Sequence, residues 1–388
     1  MIWTNELKSK KSSFDINLLI NTKVDRLKII KGNLYVYIAD ESIIIYDSKT
    51  FKLKANLELP FKSKNLLLEI LDNEVLIFLA KHRLYFYEIN IQEKKLTFLH
   101  YLYNIYNFHY LSKRKEIILS TKSYEGDQDE YIGMAKCDLK GNIILFNKIT
   151  PNISKIFVAP EKTKTKRSNG IFNEFYGLCD DKYIINIHGY LYGIYDYKTN
   201  FTEGYADSSI NIYNADNLKG ILKEKYPRHL NCWKIADNLF KLKEREFLFY
   251  YNEKENKIEF INNIFNYLNN VKDNNLNNQY EEEYDEDCYY WIIYGLKNLD
   301  KSNYIYLSDK LFAFYDYNEN LFIVDISNET KVVRKIETSW DKSKYFIRDL
   351  LYVKEDNKNE NLYICLKKKV NQIEGDEGKI IHGIIRKE

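Results

Sequence analysis

The sequence predicts an all-β fold made of repeated four-stranded sheets, and three observations lead to this prediction. Short apolar runs that close on a tyrosine and an acidic residue recur along the 388-residue chain. The clearest of these runs is flanked by three further strand-like segments, separated by short turns. Part of that run is apolar at every position, which is typical of a strand that is buried on both faces.

The recurring run is a nine-residue window that begins with a small or polar residue and ends on Tyr plus a carboxylate. The four windows are Ala39–Asp47, Ala80–Glu88, His188–Asp196 and Ser308–Asp316. Weaker copies are Ile132–Asp138, Glu246–Asn252 and Asn361–Lys367. Copies at intervals of roughly 40 to 65 residues predict seven structural units, because such a period marks a repeat architecture.

The first unit divides into four short strands. The segments are Leu27–Ile30, Leu34–Ile38, Ser42–Tyr46 and Phe51–Leu57. Their connections are short enough for an antiparallel meander. Because residues 43–46 are Ile, Ile, Ile and Tyr, we expect neighbouring sheets to cover this strand on both faces. Sheets stacked around an axis bury their middle strands in this way, so we predict a single β-propeller, with seven four-stranded blades and short helical or disordered insertions.

The stretch Ala39–Pro60 resembles a WD40-type repeat. In that family the third strand ends in Trp-Asp, and a Thr-Gly-Lys-like turn leads to the fourth strand. Here Tyr46 and Asp47 take the place of the dipeptide, and residues 50–52 (Thr, Phe, Lys) take the place of the turn. The upstream Gly-His pair and the Trp are absent. The resemblance concerns the fold and says little about activity.

One domain is predicted to span residues 1–388, with insertions at 160–172, 212–228 and 262–287. The first insertion is basic and polar, and the third becomes Asn-rich and then acidic. In the second, apolar residues at 215, 218, 221 and 222 have a helical spacing that ends at Pro227.

The last sheet has only three strand-like segments at the end of the chain. They are Tyr345–Val353, Asn361–Lys368 and Lys379–Arg386. We therefore expect its fourth strand to come from the N-terminus, from Ile2–Thr4 or from Phe14–Ile20, which would remove an exposed sheet edge.

Composition and motifs weigh against several functions. The 58 Lys and Arg against 56 Asp and Glu give a net charge of +2, which disfavours nucleic-acid binding through bulk charge. Phosphate-binding glycine loops, the GxSxG elbow and the HExxH zinc motif are all absent from the sequence.

The five cysteines contain no CxxC pair, so we expect free buried thiols in a reducing cytoplasm. We expect no secretory signal and no membrane span.

The densest cluster of chemically capable side chains is Pro227–Trp233. Arg228, His229 and Trp233 would suit the recognition of an anion or an aromatic group. Trp340 lies in a predicted loop between blades, where it either packs between them or anchors a partner. These four residues are the predicted binding site. We expect no catalytic residue, no metal ligand and no cofactor.

Two further patterns invite a functional interpretation. His82 and His188 occupy similar positions in their windows, so both are predicted to lie in the turn before a third strand, where they could share a site. Glu125–Glu130 has the composition of a calcium loop without its ligand spacing, so we expect a hairpin tip there.

The sequence as a whole predicts a cytoplasmic scaffold that binds unidentified protein partners without catalysis. Two other interpretations stay open. One is a propeller enzyme whose axial channel gathers His, Asp and Glu from several blades. The other is an RNA- or ribosome-associated propeller that uses Lys162–Arg167, which the near-neutral charge disfavours. Six blades, or two β-sandwiches, are the alternative architectures.

Overall fold

The computed structural model shows a chain built of β-strands. The residues it describes are 17–21, 24–38, 42–61, 67–125, 129–149, 167–196, 201–226, 232–242, 248–261, 304–315, 321–327, 332–336, 341, 343–354, 359–370 and 373–386. Within these ranges the chain has 28 strands and no helix.

The strands form seven sheets of four strands, numbered here along the chain. The first strand, β1 (Asn17–Asn21), belongs to the last sheet. Sheet 1 is β2 (Val24–Ile30), β3 (Asn33–Ile38), β4 (Ser42–Asp47) and β5 (Leu53–Glu58). Sheet 2 is β6 (Leu67–Ile70), β7 (Val75–Ala80), β8 (Arg83–Asn90) and β9 (Lys95–Tyr103). Sheet 3 is β10 (Ile105–Leu111), β11 (Glu116–Glu125), β12 (Asp129–Asp138) and β13 (Ile143–Ile149).

The remaining four sheets follow the same plan. Sheet 4 is β14 (Arg167–Leu178), β15 (Tyr183–Asp196), β16 (Phe201–Asn214) and β17 (Gly220–Tyr226). Sheet 5 is β18 (Cys232–Ala236), β19 (Leu239–Leu242), β20 (Leu248–Asn252) and β21 (Lys257–Ile261). Sheet 6 is β22 (Tyr304–Ser308), β23 (Leu311–Tyr315), β24 (Leu321–Asp325) and β25 (Val332–Ile336). Sheet 7 is β26 (Tyr345–Lys354), β27 (Asn359–Val370), β28 (Ile373–Arg386) and β1.

The fold is a β-propeller with blades of four antiparallel strands, as the sequence predicts. The chain divides into two compact units, residues 1–80, 85–100 and 303–388 in the first and residues 81–84 and 101–302 in the second. In the first unit, apolar cores join sheet 6 to sheet 7, sheet 7 to sheet 1, and sheet 1 to sheet 2. In the second, sheet 3 packs on sheet 4 and sheet 4 on sheet 5.

The four strands predicted for the first unit match β2 to β5. The prediction that neighbouring sheets cover residues 43–46 on both faces is confirmed, although the cover is incomplete on one face. Ile43 and Ile45 are fully buried in the core shared with sheet 2, whereas Ile44 and Tyr46 are partly buried against the core shared with sheet 7. The strand buried at all six positions is its neighbour β3, which lies between two other strands and between two packed sheets.

The N-terminal strand completes the last sheet. Strand β1 pairs with β28, placing Leu18 opposite Ile381 and Ile20 opposite Ile380. This confirms the expectation for the segment Phe14–Ile20, whose last four residues lie in β1. The other candidate, Ile2–Thr4, lies outside the described residues.

The most regular repeat of the fold is the turn that follows the third strand of a sheet. In six sheets that strand ends on an Asp or Asn whose side-chain Oδ1 accepts a backbone N–H two or three residues further on. These residues are Asp47, Asn90, Asp138, Asn214, Asn252 and Asp325. Asp and Asn favour such turns because the side chain stands in for a backbone acceptor. Sheet 7 has no such connection, since its fourth strand comes from the other terminus.

This repeat shows that several tyrosine-acid windows do not end a third strand, as the window Ala39–Asp47 does. Asp196 and Tyr315 end second strands, β15 and β23, and Glu88 lies inside β8, two residues before the turn at Asn90. As a result, His82 lies in the turn between β7 and β8, whereas His188 lies within β15, opposite Asn173 and Ser209. The two histidines are not equivalent, so the prediction of a shared turn is wrong.

The predicted helical spacing at 212–228 is also wrong. Residues 212–214 end β16, and Gly220–Tyr226 form β17, with Ile212 opposite Leu222. The apparent spacing arises because Ala215 and Leu218 of the intervening turn are buried against sheet 3. In the segment 160–172, the described part, from Arg167 onward, is strand β14. Residues 160–166 and 262–287 lie outside the described residues.

Candidate functional site

Of the four predicted binding residues, the structure describes only Trp233. It lies on β18 opposite Lys241 and is partly buried. Its indole Nε1 is buried and has no hydrogen-bond partner among the described residues. Arg228, His229 and Trp340 lie outside the described residues, so the binding site built on these residues stays a prediction.

The described part of the chain gives little support to thiol or metal chemistry. Burial raises the pKa of Cys137 to about 12 and that of Cys179 to about 11. Burial also raises the pKa of Cys232 well above its ordinary value. These three thiols therefore stay protonated near neutral pH, whereas a reactive cysteine needs its thiolate. Among the described residues, no three His, Cys, Asp or Glu side chains are grouped as metal ligands.

The exposed apolar side chains are concentrated on two strands. Ten large hydrophobic residues of the described ranges are exposed, and seven of them lie on β9 and β13. We call Phe98, Leu99, Tyr101 and Tyr103 the β9 surface, and Ile143, Ile144 and Phe146 the β13 surface. Both strands are the fourth of their sheets and therefore edge strands. Clusters of this kind mark interaction sites more often than scattered single residues do.

The β13 surface alternates with side chains that belong to the core. Ile143, Ile144 and Phe146 are 52%, 52% and 56% exposed. Between them, Leu145 packs into the core shared by sheets 3 and 4. The next residue, Asn147, donates a 2.7 Å hydrogen bond from Nδ2 to the carbonyl of Leu218 in sheet 4. Strand alternation thus sends Leu145 and Asn147 to sheet 4 and Ile144 and Phe146 to the surface. Ile143 lies beyond a register shift in the pairing with β12 and is exposed as well.

A glycine beneath the aromatic ring shapes the β13 surface. Gly133 of β12 is buried, and a Cβ placed on it would lie 2.7 Å from Cζ of Phe146 and 2.5 Å from Oγ1 of Thr121. The ring of Phe146 therefore lies directly over the Gly133 backbone, where only glycine leaves room for it. This contact gives Phe146 a part in covering the sheet, yet more than half of the residue is still exposed.

The β9 surface is held by contacts to strand β8. Phe98 meets Tyr87 edge-on at a centroid distance of 5.4 Å, and the Arg83 guanidinium lies 5.0 Å from the centroid of the Tyr101 ring. Tyr103 is 72% exposed, the largest fraction among the exposed hydrophobic residues. His100 instead stacks on the buried ring of Phe86 at 4.4 Å.

The fourth strands of the next two sheets have a different character. On β17 the exposed side chains include Lys223 and Lys225, and on β21 Lys257 is exposed while Ile258, Phe260 and Ile261 are buried. Exposed charge on an edge strand discourages pairing with other chains. Sheets 4 and 5 thus have protected edges, whereas sheets 2 and 3 present apolar ones.

Sequence reasoning missed both surfaces. Residues 143–146 read Ile, Ile, Leu, Phe, and such a run predicts a strand buried on both faces. A usable signal lies just upstream, at Asp138, because an Asp or Asn turn of this kind leads into the fourth, outer strand.

Comparisons with known proteins assign no family to the chain. No family model and no curated protein matches it. Among solved structures it is similar to the β-propeller domain of Cps50 (Swd1) from Myceliophteria thermophila, over 94% of this chain and 98% of that one. The identity is 11% and the TM-score 0.46. At this level of similarity we take neither a family nor a function from the match.

The described ranges contain no helix with the length and apolar character that a bilayer crossing requires.

Proposed function

We propose that the protein is a cytoplasmic, non-catalytic scaffold that binds partner proteins through β13, the apolar outer strand of sheet 3. The observation that carries this proposal is the β13 surface, three large apolar side chains that are each more than half exposed. They lie on a strand whose other side chains, Leu145 and Asn147, contact sheet 4.

The physical basis is the cost of leaving apolar area in water. Burial of apolar surface contributes roughly 25 cal/mol per Å². The intramolecular packing of sheet 3 leaves most of Ile143, Ile144 and Phe146 uncovered, so that contribution is still available to a partner. Aromatic and aliphatic anchors of this kind supply much of the binding energy of protein interfaces.

The proposal is tested by recovering partners with the full-length chain from the cells that make it. The variant is Ile143→Thr with Ile144→Thr and Phe146→Thr, which keeps strand propensity and removes the apolar area. The matched control is Lys223→Thr with Lys225→Thr, on the charged outer strand β17. Quantitative mass spectrometry compares the proteins recovered with each form, and thermal unfolding checks that both variants fold.

We expect the β13 variant to recover about tenfold less of a partner protein than the wild type and the control do. A tenfold change in affinity corresponds to about 1.4 kcal/mol of binding free energy. Recovery of the same partners in the same amounts with both folded variants would contradict the proposal. An apolar contact should also survive an increase in ionic strength, because salt screens charge pairs and not apolar contacts.

A further inference from the structure

An exposed surface within the second compact unit differs from β13 in its chemistry. It combines Lys81 and His82, in the turn before β8, and Arg83, the first residue of β8, with Tyr101 and Tyr103 at the end of β9. All five residues are exposed, and we call them the Tyr103 surface. The exposed apolar side chains of β13 include two isoleucines, whereas this surface is made of aromatic rings and cationic side chains.

The rings of this surface are open to solvent or lie against a flat cationic group. Tyr101 and Tyr103 are 43% and 72% exposed. Because they are two residues apart on a strand, they project from the same face, about 7 Å from each other along the chain. The Arg83 guanidinium lies 5.0 Å from the centroid of the Tyr101 ring, and the His82 ring lies 4.2 Å from that of Tyr106. Nucleobases stack on aromatic rings and guanidinium planes of this kind.

The positive charge of this surface is not offset by the adjoining sequence. The chain has no Asp or Glu at positions 75–87 and none at positions 94–115. Among the described residues, the side chains of Lys81 and Arg83 form no ion pair. The local charge is therefore positive, although the net charge of the whole chain is only +2. Single-stranded nucleic acids are bound by this combination, in which cations attract the phosphates and aromatic rings stack on the bases.

We propose that the Tyr103 surface binds single-stranded RNA. One base stacks on the Tyr103 ring and the next on the pair formed by Arg83 and Tyr101, while Lys81 and the edge of the guanidinium attract phosphates. Stacking accepts every base, so we expect little sequence preference. The choice of RNA over DNA rests on the cytoplasmic location proposed above, whereas the site itself is independent of the β13 surface.

The first test removes a stacking ring. Full-length protein is titrated by fluorescence polarisation into a fluorescein-labelled RNA of 12 uridines. We expect Tyr103→Leu, which keeps an apolar side chain, to weaken binding about tenfold. Tyr306→Leu, at another exposed tyrosine, is the control and should change the affinity less than about twofold. Thermal unfolding checks that both variants fold, and Tyr101→Leu replaces Tyr103→Leu if that variant does not.

The second test removes the charge and measures the salt dependence. Two phosphate contacts predict that log K falls with log salt concentration with a slope of roughly −1.4 for a single strand. We expect Lys81→Gln with Arg83→Gln to weaken binding at least about fivefold and to bring this slope close to zero. Lys223→Gln with Lys225→Gln removes the same charge from β17 and should leave both the affinity and the slope unchanged.

No binding of the RNA by the wild type, or equal weakening by the variants and their controls, would overturn the inference. Equal binding of a double-stranded RNA of the same length would also overturn it, because paired bases are not open to stacking. So would tighter binding of a DNA of 12 thymidines.

A protein contact is the other interpretation of the same residues. Loss of a protein partner with Tyr103→Leu, in lysate treated with ribonuclease and with no RNA bound in the titration, would overturn the inference in favour of that contact. None of these outcomes bears on the proposed function, because partner recovery through β13 is measured with its own variant.

Discussion

Strand β13 has two faces with different chemistry, and residues that are adjacent in sequence belong to different faces. Leu145 and Asn147 face sheet 4, where one packs in a core and the other bonds a backbone carbonyl. Ile144 and Phe146 are exposed. Strand β13 thus carries one set of side chains that packs against sheet 4 and another that the fold leaves exposed.

The comparison separates stability from function in a chain that lacks recognisable motifs. Contacts within the chain explain why the side chains of the packed face are apolar. They do not explain an exposed apolar face, which more often indicates an interaction site. Strand β17 shows that this chain can build a charged outer strand in the neighbouring sheet. The apolar character of β13 is therefore not a general property of outer strands in this protein.

The largest expected effect is on stability, from Gly177→Ala at the packed junction of sheets 3 and 4. Gly177 of β14 is buried at the junction of sheets 3 and 4, and a Cβ there would lie 1.9 Å from Oδ1 of Asp181 and 2.9 Å from Cδ2 of Leu111. Asp181 cannot simply move, because its Oδ2 accepts the N–H of Lys113 at 2.9 Å. We expect a loss of about 3 kcal/mol in the free energy of unfolding, measured by urea denaturation.

The control for that substitution is Gly220→Ala on β17. A Cβ at Gly220 would meet no atom closer than 3.9 Å, so alanine fits there without strain. We expect unchanged stability, or a gain of up to about 1 kcal/mol from a stiffer unfolded chain. Equal losses from the two substitutions would show that the junction is not as tightly packed as described.

The smallest effect concerns the turn that leads into β13, and it depends on pH. Partial burial would raise the pKa of Asp138, but hydrogen bonds from the side chain and backbone of Asn142 and from the backbone of Lys140 outweigh it, so the pKa is lowered. The carboxylate therefore stabilises the fold fully above the pKa of the unfolded chain, about 3.9, and this contribution disappears as the pH falls through the lower folded value.

Asp138→Asn keeps the turn, because Asn fills the same position at residues 90, 214 and 252. We expect the variant to lose less stability than the wild type between about pH 5 and pH 2, as measured by thermal unfolding. Parallel pH profiles for the two proteins would mean that the Asp138 carboxylate contributes no acid sensitivity.

The sequence predicts most of the architecture because strand patterns are local. The four strands of sheet 1 and the closure of sheet 7 by the N-terminus follow from apolar runs and turn residues. A pattern of tyrosine followed by an acidic residue does not include the turns at Asn90 and Asn214, because either Asp or Asn can accept the backbone N–H. The prediction of a helix at 215–222 is wrong because two buried turn residues, Ala215 and Leu218, imitate helical spacing.

The binding surfaces were not predictable in the same way. A run such as Ile143–Phe146 has the same composition whether a neighbouring sheet covers it or not, and only the packing of sheet 3 decides which of its faces is exposed. The predicted cluster around Trp233 rests on the chemistry of its side chains alone, and that chemistry does not decide whether a residue is exposed: Trp233 is partly buried on β18.

The most direct measurement compares Leu145→Ala with Phe146→Ala, two adjacent truncations on opposite faces of β13. For each folded variant, the free energy of unfolding and the recovery of partners from the protein's own cells are determined together. We expect Leu145→Ala to lower the free energy of unfolding by about 2 kcal/mol and to leave partner recovery unchanged. Phe146→Ala should cost less than about 1 kcal/mol and reduce partner recovery. A Phe146→Ala variant that loses as much stability as Leu145→Ala and keeps every partner would contradict the account.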